Sequence, residues 1–335
     1  MQSIWKKIKE DPSLKKKFYQ KAKILEAIRD FFKKEGFWEI DSPTLVESPD
    51  PSSFNEVYEI ESQDKKKFFL TPSPEFFLKK MLVAGFENIY QITKAYRDQQ
   101  EKDPLHLREF IILEWYRTGG DYKDLMRDCE NLVNFIKQRL GKDKIIYQGK
   151  EISLAPPWPK ISCQEAFKKY ARVDLNEFLD LEKARQISLK KGFSEVENST
   201  WEELYHQIFL NEVEPQLLKE PAIILYDYPA PLAALSKIKE SDSRYAERME
   251  FYLAGLELGN GYSELTDWQE QEKRLKSDLE ERRKKGMKIF DYDQDFINAL
   301  KKGMPKTAGI AVGIDRLIML FTDSKEIKET SPFNL

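Results

Sequence analysis

The apolar positions change period along the chain, and each change marks an element. Phe18, Ala22, Leu25, Ile28 and Phe32 recur at helical spacing, which predicts a helix stopped by Gly36. Residues 37–40 read as a short strand with Pro43 just beyond, and 68–70 as another. A helix follows, with Ser73 as N-cap, Pro74 as first residue, Phe77, Leu78, Met81 and Leu82 on its apolar side and Gly85 as its stop. Two apolar arms, 89–96 and 110–116, enclose a polar loop, the pattern of an antiparallel hairpin with a long tip. Asp121 caps a helix through Leu125, Cys129, Leu132, Ile136 and Leu140, ended by Gly141. Residues 145–219 are mixed and read as a helical insertion that includes a helix over 201–209. A strand at 222–228 lies between Pro221 and Pro229. Alternation over 248–264 predicts a strand interrupted at Gly259-Asn260-Gly261. A charged, mostly solvated helix over 268–285 and a second over 295–302 precede a small-residue strand at 308–312, which turns at Gly313 into a helix over 314–321.

The hairpin carries the first candidate chemistry. Alternation puts Phe110, Ile112, Glu114 and Tyr116 on one face and Ile111, Leu113 and Trp115 on the other. The second face is plain core; the first holds a ring, a carboxylate and a phenol in a row. A buried carboxylate is costly unless paired, so Glu114 expects a cation. Arg97 ends the first arm beside that same face. The residues leave two readings open: a core hairpin whose Glu pairs with a neighbouring Lys, or a ligand-facing acid. Glu75, in the first turn of its helix, equally has a plain role at the helix dipole. Glu257 and Glu264 are seven apart, which on a straight strand places them on opposite faces. A turn or bulge at the glycine pair could reset that parity.

Composition narrows the class. The chain has 335 residues, 41% of them hydrophobic, enough for one large domain or two ordinary ones. With 55 basic and 58 acidic residues, a net charge of −3 gives no overall attraction to a nucleic-acid backbone. The lysine runs at 15–17 and 65–67 read as solvated faces. Two histidines, His106 and His206, leave little scope for His-based metal sites or Ser-His-Asp chemistry, and His206 reads as structural. Two cysteines give no disulfide framework, and no apolar run of about 18 residues or secretory N-terminus stands out. The expectation is a cytoplasmic protein without a membrane segment.

The residues YRDQ…REFIILEWY resemble the second signature motif of class II aminoacyl-tRNA synthetases in their lysine-type form. The helix–strand–proline unit at about 18–46 resembles motif 1, with Pro43 at its proline position. Motif 2 spans about 89–117, and AGIAVGIDRLIMLF at 308–321 resembles motif 3. ELGNGYSELTD matches the lysine-type stretch between them. The resemblance implies an α+β catalytic domain, an antiparallel sheet flanked by helices, filling 1–335 as one unit and forming a homodimer through motif 1. It also implies that no anticodon-binding domain is present. The family's activity is attack of a carboxylate on the α-phosphate of ATP, giving an aminoacyl-adenylate and pyrophosphate with Mg2+.

On this resemblance Arg97 and Arg316 are catalytic guanidiniums at the phosphates. Asp98, Gln99, His106, Glu109, Phe110, Glu257, Leu258 and Gly313 complete the ATP site, with Phe110 under the adenine. Ser73, Pro74, Glu75, Glu114, Tyr116, Asn260, Glu264 and Ala311 line the amino-acid pocket, and Glu257 and Glu264 share the metal. A Glu at position 75 favours a cationic substrate, where aspartate-type relatives carry Gln. Ala311 stands where α-lysine enzymes carry Gly and the ligases that take (R)-β-lysine carry Ala. The chain also resembles those short paralogues of lysyl-tRNA synthetase, whose acceptor is a lysine of elongation factor P rather than tRNA. Two positions depart from the family pattern: Gln99 replaces a Glu, and Leu107 an Asn that contacts ATP. The alternatives are an enzyme that activates α-lysine for tRNA and an inactive paralogue that only binds an amino acid.

Overall fold

The computed structural model describes residues 4–98, 104–194 and 196–331. Helix α1 (Pro12–Lys34) begins earlier than its apolar stripe, because Asp11 accepts from the Ser13 amide and Pro12 takes the first position. Its buried face is Ile24, Ala27, Ile28, Phe31 and Phe32. Phe32 stacks on Tyr90 at 4.5 Å and packs on Trp115 at 5.3 Å, which fastens the helix to the sheet.

The sheet has eight strands: β1 (Trp38–Glu39), β2 (Asn88–Tyr96), β3 (Glu109–Thr118), β4 (Lys160–Ser162), β5 (Ala222–Pro229), β6 (Tyr245–Leu253), β7 (Leu256–Ser263) and β8 (Thr307–Gly313). Their order is β1-β2-β3-β8-β7-β6-β5-β4. The two outermost pairings are parallel and the rest antiparallel. The expected hairpin is β2–β3, with Gln91 opposite Glu114.

Register aligns two rows of side chains across the middle strands. Gln91, Glu114, Ala311, Asn260 and Glu250 form one. Tyr116, Gly309, Tyr262 and Arg248 form the other. Both lie on the same face, since each row differs from its neighbour by two residues on every strand. The opposite face, through Leu113, Trp115, Met249, Phe251, Ile310 and Val312, is the main core. It is covered by α1, by α3 (Tyr122–Arg139), whose Asp121 cap matches the sequence expectation and is completed to a capping box by Asp124, and by α6 (Ile314–Thr322). Gly259 and Gly261 are required on this side. A Cβ at Gly259 would sit 2.6 Å from the Phe251 ring and one at Gly261 2.7 Å from Ile310 Cβ.

The 248–264 stretch is not one strand. The chain reverses at Ala254–Gly255, both with positive φ (52° and 81°), to make the β6–β7 hairpin. Nor does Gly259-Asn260-Gly261 interrupt anything: it lies inside β7. The parity of Glu257 and Glu264 is reset one step earlier, by a bulge at Leu258, because Phe251 pairs with Gly259 while Tyr252 pairs with Glu257.

Within 145–219 the chain first makes a small hairpin (Ile145–Tyr147 with Lys150–Ile152) and then edge strand β4. Short helical turns from Cys163 to Leu217 follow, packed over a second core with Phe167, Phe178, Tyr205 and Ile208. His206 has a plain structural contact there, its Nδ1 2.9 Å from the Glu202 carbonyl.

On the site side, α2 (Glu75–Val83), α4 (Trp268–Lys284) and α5 (Gln294–Leu300) share a third cluster with Tyr116, in which Phe76 stacks on Phe296 at 4.3 Å. Helix α4 is less solvated than its charge suggests: Gln271, Leu275, Leu279 and Arg282 are buried. Arg282 donates to the Ser52 and Asn55 carbonyls (2.9 and 2.7 Å), to Glu56 (2.9 Å) and to the Lys288 carbonyl (2.9 Å). It thereby pins the 52–56 segment. Removing it takes the cation from Glu56, which keeps the Val57 and Lys288 amides, and a buried donor from three carbonyls, so Arg282→Met is expected to destabilise the fold by about 2–4 kcal/mol in chemical denaturation.

Candidate active site

The two rows of the sheet and the start of α2 enclose an acidic pocket. Glu114 is buried, and no ion pair to it occurs among the described residues. The cation expected for it is replaced by two hydroxyls: Ser73 donates to Oε1 at 2.6 Å and Tyr116 to Oε2 at 3.0 Å. Burial, then the nearby Glu75 carboxylate, push the Glu114 carboxyl up to about 8, against the pull of those hydroxyls and of Lys79. Ser73 also accepts from the Glu75 amide at 3.0 Å, so it caps α2 from one residue before the helix boundary at Pro74.

The buried cation of the pocket is Lys79, to which the sequence reading gave no role. It is fully buried, with Nζ 2.5 Å from Glu75 and 2.6 Å from Glu264. A Glu–Lys pair four apart on a helix is legible in sequence; the third partner, from β7, is not. Tyr262, also missed, donates to Glu75 at 3.1 and 3.2 Å. Gly309 makes room for this cluster: a Cβ there would lie 2.2 Å from Glu264 Oε1 and 2.4 Å from the Tyr116 ring. Ala311 occupies the next row, between Glu114 and Asn260. Asn260 accepts from Arg248 Nε at 3.0 Å, and Arg248 is itself bound to Glu250 at 2.8 Å.

The other end of the site is cationic. The Arg97 guanidinium lies over the Phe110 ring at 5.1 Å, and its buried Nε finds no hydrogen-bond partner. Burial lowers its pKa, with Glu257 opposing and the like charge of Arg316 adding to the effect. An unsatisfied buried guanidinium N–H is costly unless something accepts from it. Arg316 donates to the Glu257 carbonyl at 2.7 Å and the Leu105 carbonyl at 3.3 Å. Its Nη2 is 2.7 Å from His106 Nε2, which must act as acceptor, leaving the ring proton on Nδ1.

Several expected members stand apart. Glu257 and Glu264 cannot share an ion: they are separated along β7 by about 20 Å of strand, and Glu264 is tied to Lys79. Of the carboxylates that bear on Glu257, Glu250, two residues from its cross-strand partner Tyr252, has a larger effect than Glu214. Glu109 lies on the other face of the hairpin, where it pairs with Lys94 in solvent. Asp98 turns to Lys288 at 3.2 Å. The Leu258 side chain is in the main core, so only its backbone could face a ligand. A Cβ at Gly313 would meet nothing closer than 3.8 Å, so no protein group needs its missing side chain. Gln99 lies outside the described residues.

Comparison with known proteins gives the class first. Residues 2–335 match the family described as tRNA synthetases class II (D, K and N), and the chain belongs to that family. Its α+β sheet-and-helix domain is the one expected of such enzymes. Among particular relatives, it is 34% identical over 328 residues to the lysine–tRNA ligase of Pelotomaculum thermopropionicum, covering 97% of this chain and 64% of that protein. It is 34% identical over 320 residues to that of Clostridium tetani, covering 94% and 63%. The match to the enzyme of Moorella thermoacetica is 32% over 324 residues, covering 96% and 66%. The chain thus spans less than two thirds of the length of the first of these curated relatives. Among the described residues, no helix is long and apolar enough to cross a membrane.

Proposed function

We propose that this protein uses ATP to activate a lysine-type diamino acid as its adenylate, in the cytoplasm, and passes the acyl group to a lysine side chain of elongation factor P, with (R)-β-lysine as the preferred substrate. The observation that carries the reading is the polarity of the site. Glu75, Glu114 and Glu264 with two phenols stand at one end, and two guanidiniums beside an aromatic ring at the other. A molecule with amines at one end and a carboxylate at the other, laid along this axis, meets opposite charge at its amines and brings its carboxylate to the arginines.

The chemistry follows from that alignment. The substrate carboxylate is already a nucleophile, so no protein base is needed. Its in-line attack at the α-phosphate spreads charge over phosphate oxygens, which Arg97 and Arg316 can receive through their planar forks. Phe110, with Arg97 against one side, is a stacking surface for adenine. Glu257, with Glu250 beside it, fits the one or two carboxylates magnesium uses alongside phosphates and water; the bound ion would neutralise phosphate charge. Removing a partner from a buried ion pair costs about 3–5 kcal/mol, so monoamines are rejected. Between α- and β-lysine, the Ala311 methyl contributes about 1–3 kcal/mol. Homodimerisation would cover the exposed Trp38 of β1 and Leu45 on the segment after it, and sedimentation would report it.

The test is ATP–pyrophosphate exchange with (R)-β-lysine against (S)-α-lysine, without acceptor. A preference for β-lysine supports the ligase reading, and transfer to elongation factor P comes next. A preference for α-lysine moves the assignment toward charging of tRNA, the activity for which the relatives are named. No exchange from a folded protein that still binds a diamine identifies an amino-acid sensor.

A further inference from the structure

The proposed function uses Glu75 and Glu264 but gives no task to the group between them. The Lys79 ammonium is fully buried, 2.5 Å from Glu75 Oε1 and 2.6 Å from Glu264 Oε2, and 5.7 Å from the centre of the Tyr262 ring. Burial alone would favour the neutral amine; the carboxylates of Glu264 and Glu75 outweigh it and raise the pKa, so Lys79 stays charged. Glu264 depends on it in turn. Burial pushes that carboxyl up, and Lys79 is the largest influence pulling it down. Neither Glu264 oxygen has a hydrogen bond of good geometry, so charge alone holds it in the gap that Gly309 leaves.

The ionisable groups around Lys79 come from every wall: Glu75 from α2, Glu114 and Tyr116 from β3, Tyr262 from β7, Glu264 from the residue just after it, and Asp50 from the segment after the first strands. Lys79 is the cation paired among them. Four carboxylates, those of Asp50, Glu75, Glu114 and Glu264, thus surround one ammonium, an excess of acid that suits a molecule with two amines. We propose that Lys79 is a positioning residue that sets the charge of this pocket: its ammonium, within 2.6 Å of both, holds the Glu75 and Glu264 carboxylates in place side by side, so that the pocket presents carboxylates to a diamine.

This inference rests on the diamine reading, and two measurements separate them. The first is calorimetric titration of (R)-β-lysine and (S)-lysine into the wild type, Lys79→Met and the double variant Lys79→Met/Glu264→Gln, in buffers of different ionisation enthalpy. Without Lys79 a proton takes its place on the acid pair, and a diamine must displace it. Lys79→Met is expected to bind roughly tenfold to a hundredfold more weakly near neutrality, to recover toward about pH 9, and to release about one more proton per ligand. The double variant is expected to return to the wild-type proton count. An equal loss at every pH with an unchanged proton count would overturn the proposal, leaving Lys79 as packing.

The second needs no ligand. The thermal midpoint of Lys79→Met is expected to fall furthest below wild type at high pH, where its acids are charged and unpaired. The gap should close as pH falls and they protonate. A gap independent of pH again overturns the proposal. Should the wild type bind neither diamine while this gap closes as described, the diamine reading fails and the charge-setting role stands. Should Lys79→Met not fold, Lys79→Gln, which removes the charge but keeps a polar end, carries both measurements with the same expected results.

Discussion

Arg97→Ala is expected to lower pyrophosphate exchange on the order of 10²–10³-fold, the size of effect seen when one preorganised donor to a developing oxyanion is removed. The geometry makes the loss specific. Arg97 is anchored by its backbone, its amide donating to the Arg108 carbonyl at 3.0 Å, and by the Phe110 ring, while its buried Nε has no partner. A group held in place with an unspent donor is preorganised; on the proposed reading its acceptor is a phosphate oxygen. Arg97→Lys keeps the charge and loses the fork, so it should recover part of the rate and little of the ATP affinity. The same orphaned donor predicts that stability moves the other way. Taking a desolvated cation away from its like-charged neighbour Arg316 removes an unfavourable term. The ligand-free Arg97→Met protein is therefore expected to melt at or above the wild-type midpoint. A variant that lost both activity and stability would mean that Arg97 is a structural residue.

Glu114→Gln is expected to weaken diamine binding by about 3–5 kcal/mol, a few hundredfold or more, while making the empty protein more stable at alkaline pH. The two effects share one cause. Ser73 and Tyr116 supply hydrogen bonds to Glu114 but no charge, so the carboxyl rises from its ordinary 4.5 to about 8. A raised carboxyl means that the native state holds a proton the unfolded chain has released. Below about pH 4.5 both states are protonated and nothing is lost. Between about 4.5 and 8 wild-type stability falls as pH rises, and above that the full cost of a buried anion remains. Glutamine has no such cost, so its advantage grows through the same window, on the order of 2–4 °C for each kcal/mol relieved. Diamine affinity of the wild type should rise through the same window, because the ammonium needs the carboxylate. Melting curves and binding isotherms across pH test both; a pH-independent affinity would remove Glu114 from the amine end.

Much of the fold was legible because local rules and tertiary structure agree. The helices at 12–34, 122–139 and 314–322 carry clean apolar stripes, with side-chain caps on the first two and glycine stops such as Gly36 and Gly141. The β2–β3 hairpin pairs without a register shift, so its two faces could be sorted in advance, and Glu114 with Tyr116 share one face as expected. The β6–β7 hairpin was not legible. Its turn is Ala254–Gly255 without the usual Asn or Asp, and the alternation runs through it unbroken. The Leu258 bulge left no local mark either, since an extra residue in a strand is defined only against its partner.

The sequence by itself determined the elements, the motif order, and a carboxylate–phenol face on one hairpin, because periodicity, capping and turn chemistry act over a few residues. Only the tertiary structure decided which charges meet. It gave Glu114 two hydroxyls instead of a cation, sent Glu109 and Asp98 away from the site, and separated Glu257 from Glu264. It also brought Lys79 between acids that lie four positions away on its own helix and 185 positions away on another strand. Charge pairing depends on distance in space and on burial, and neither exists until strand register has aligned residues from β3, β7 and β8 in the same rows under α2.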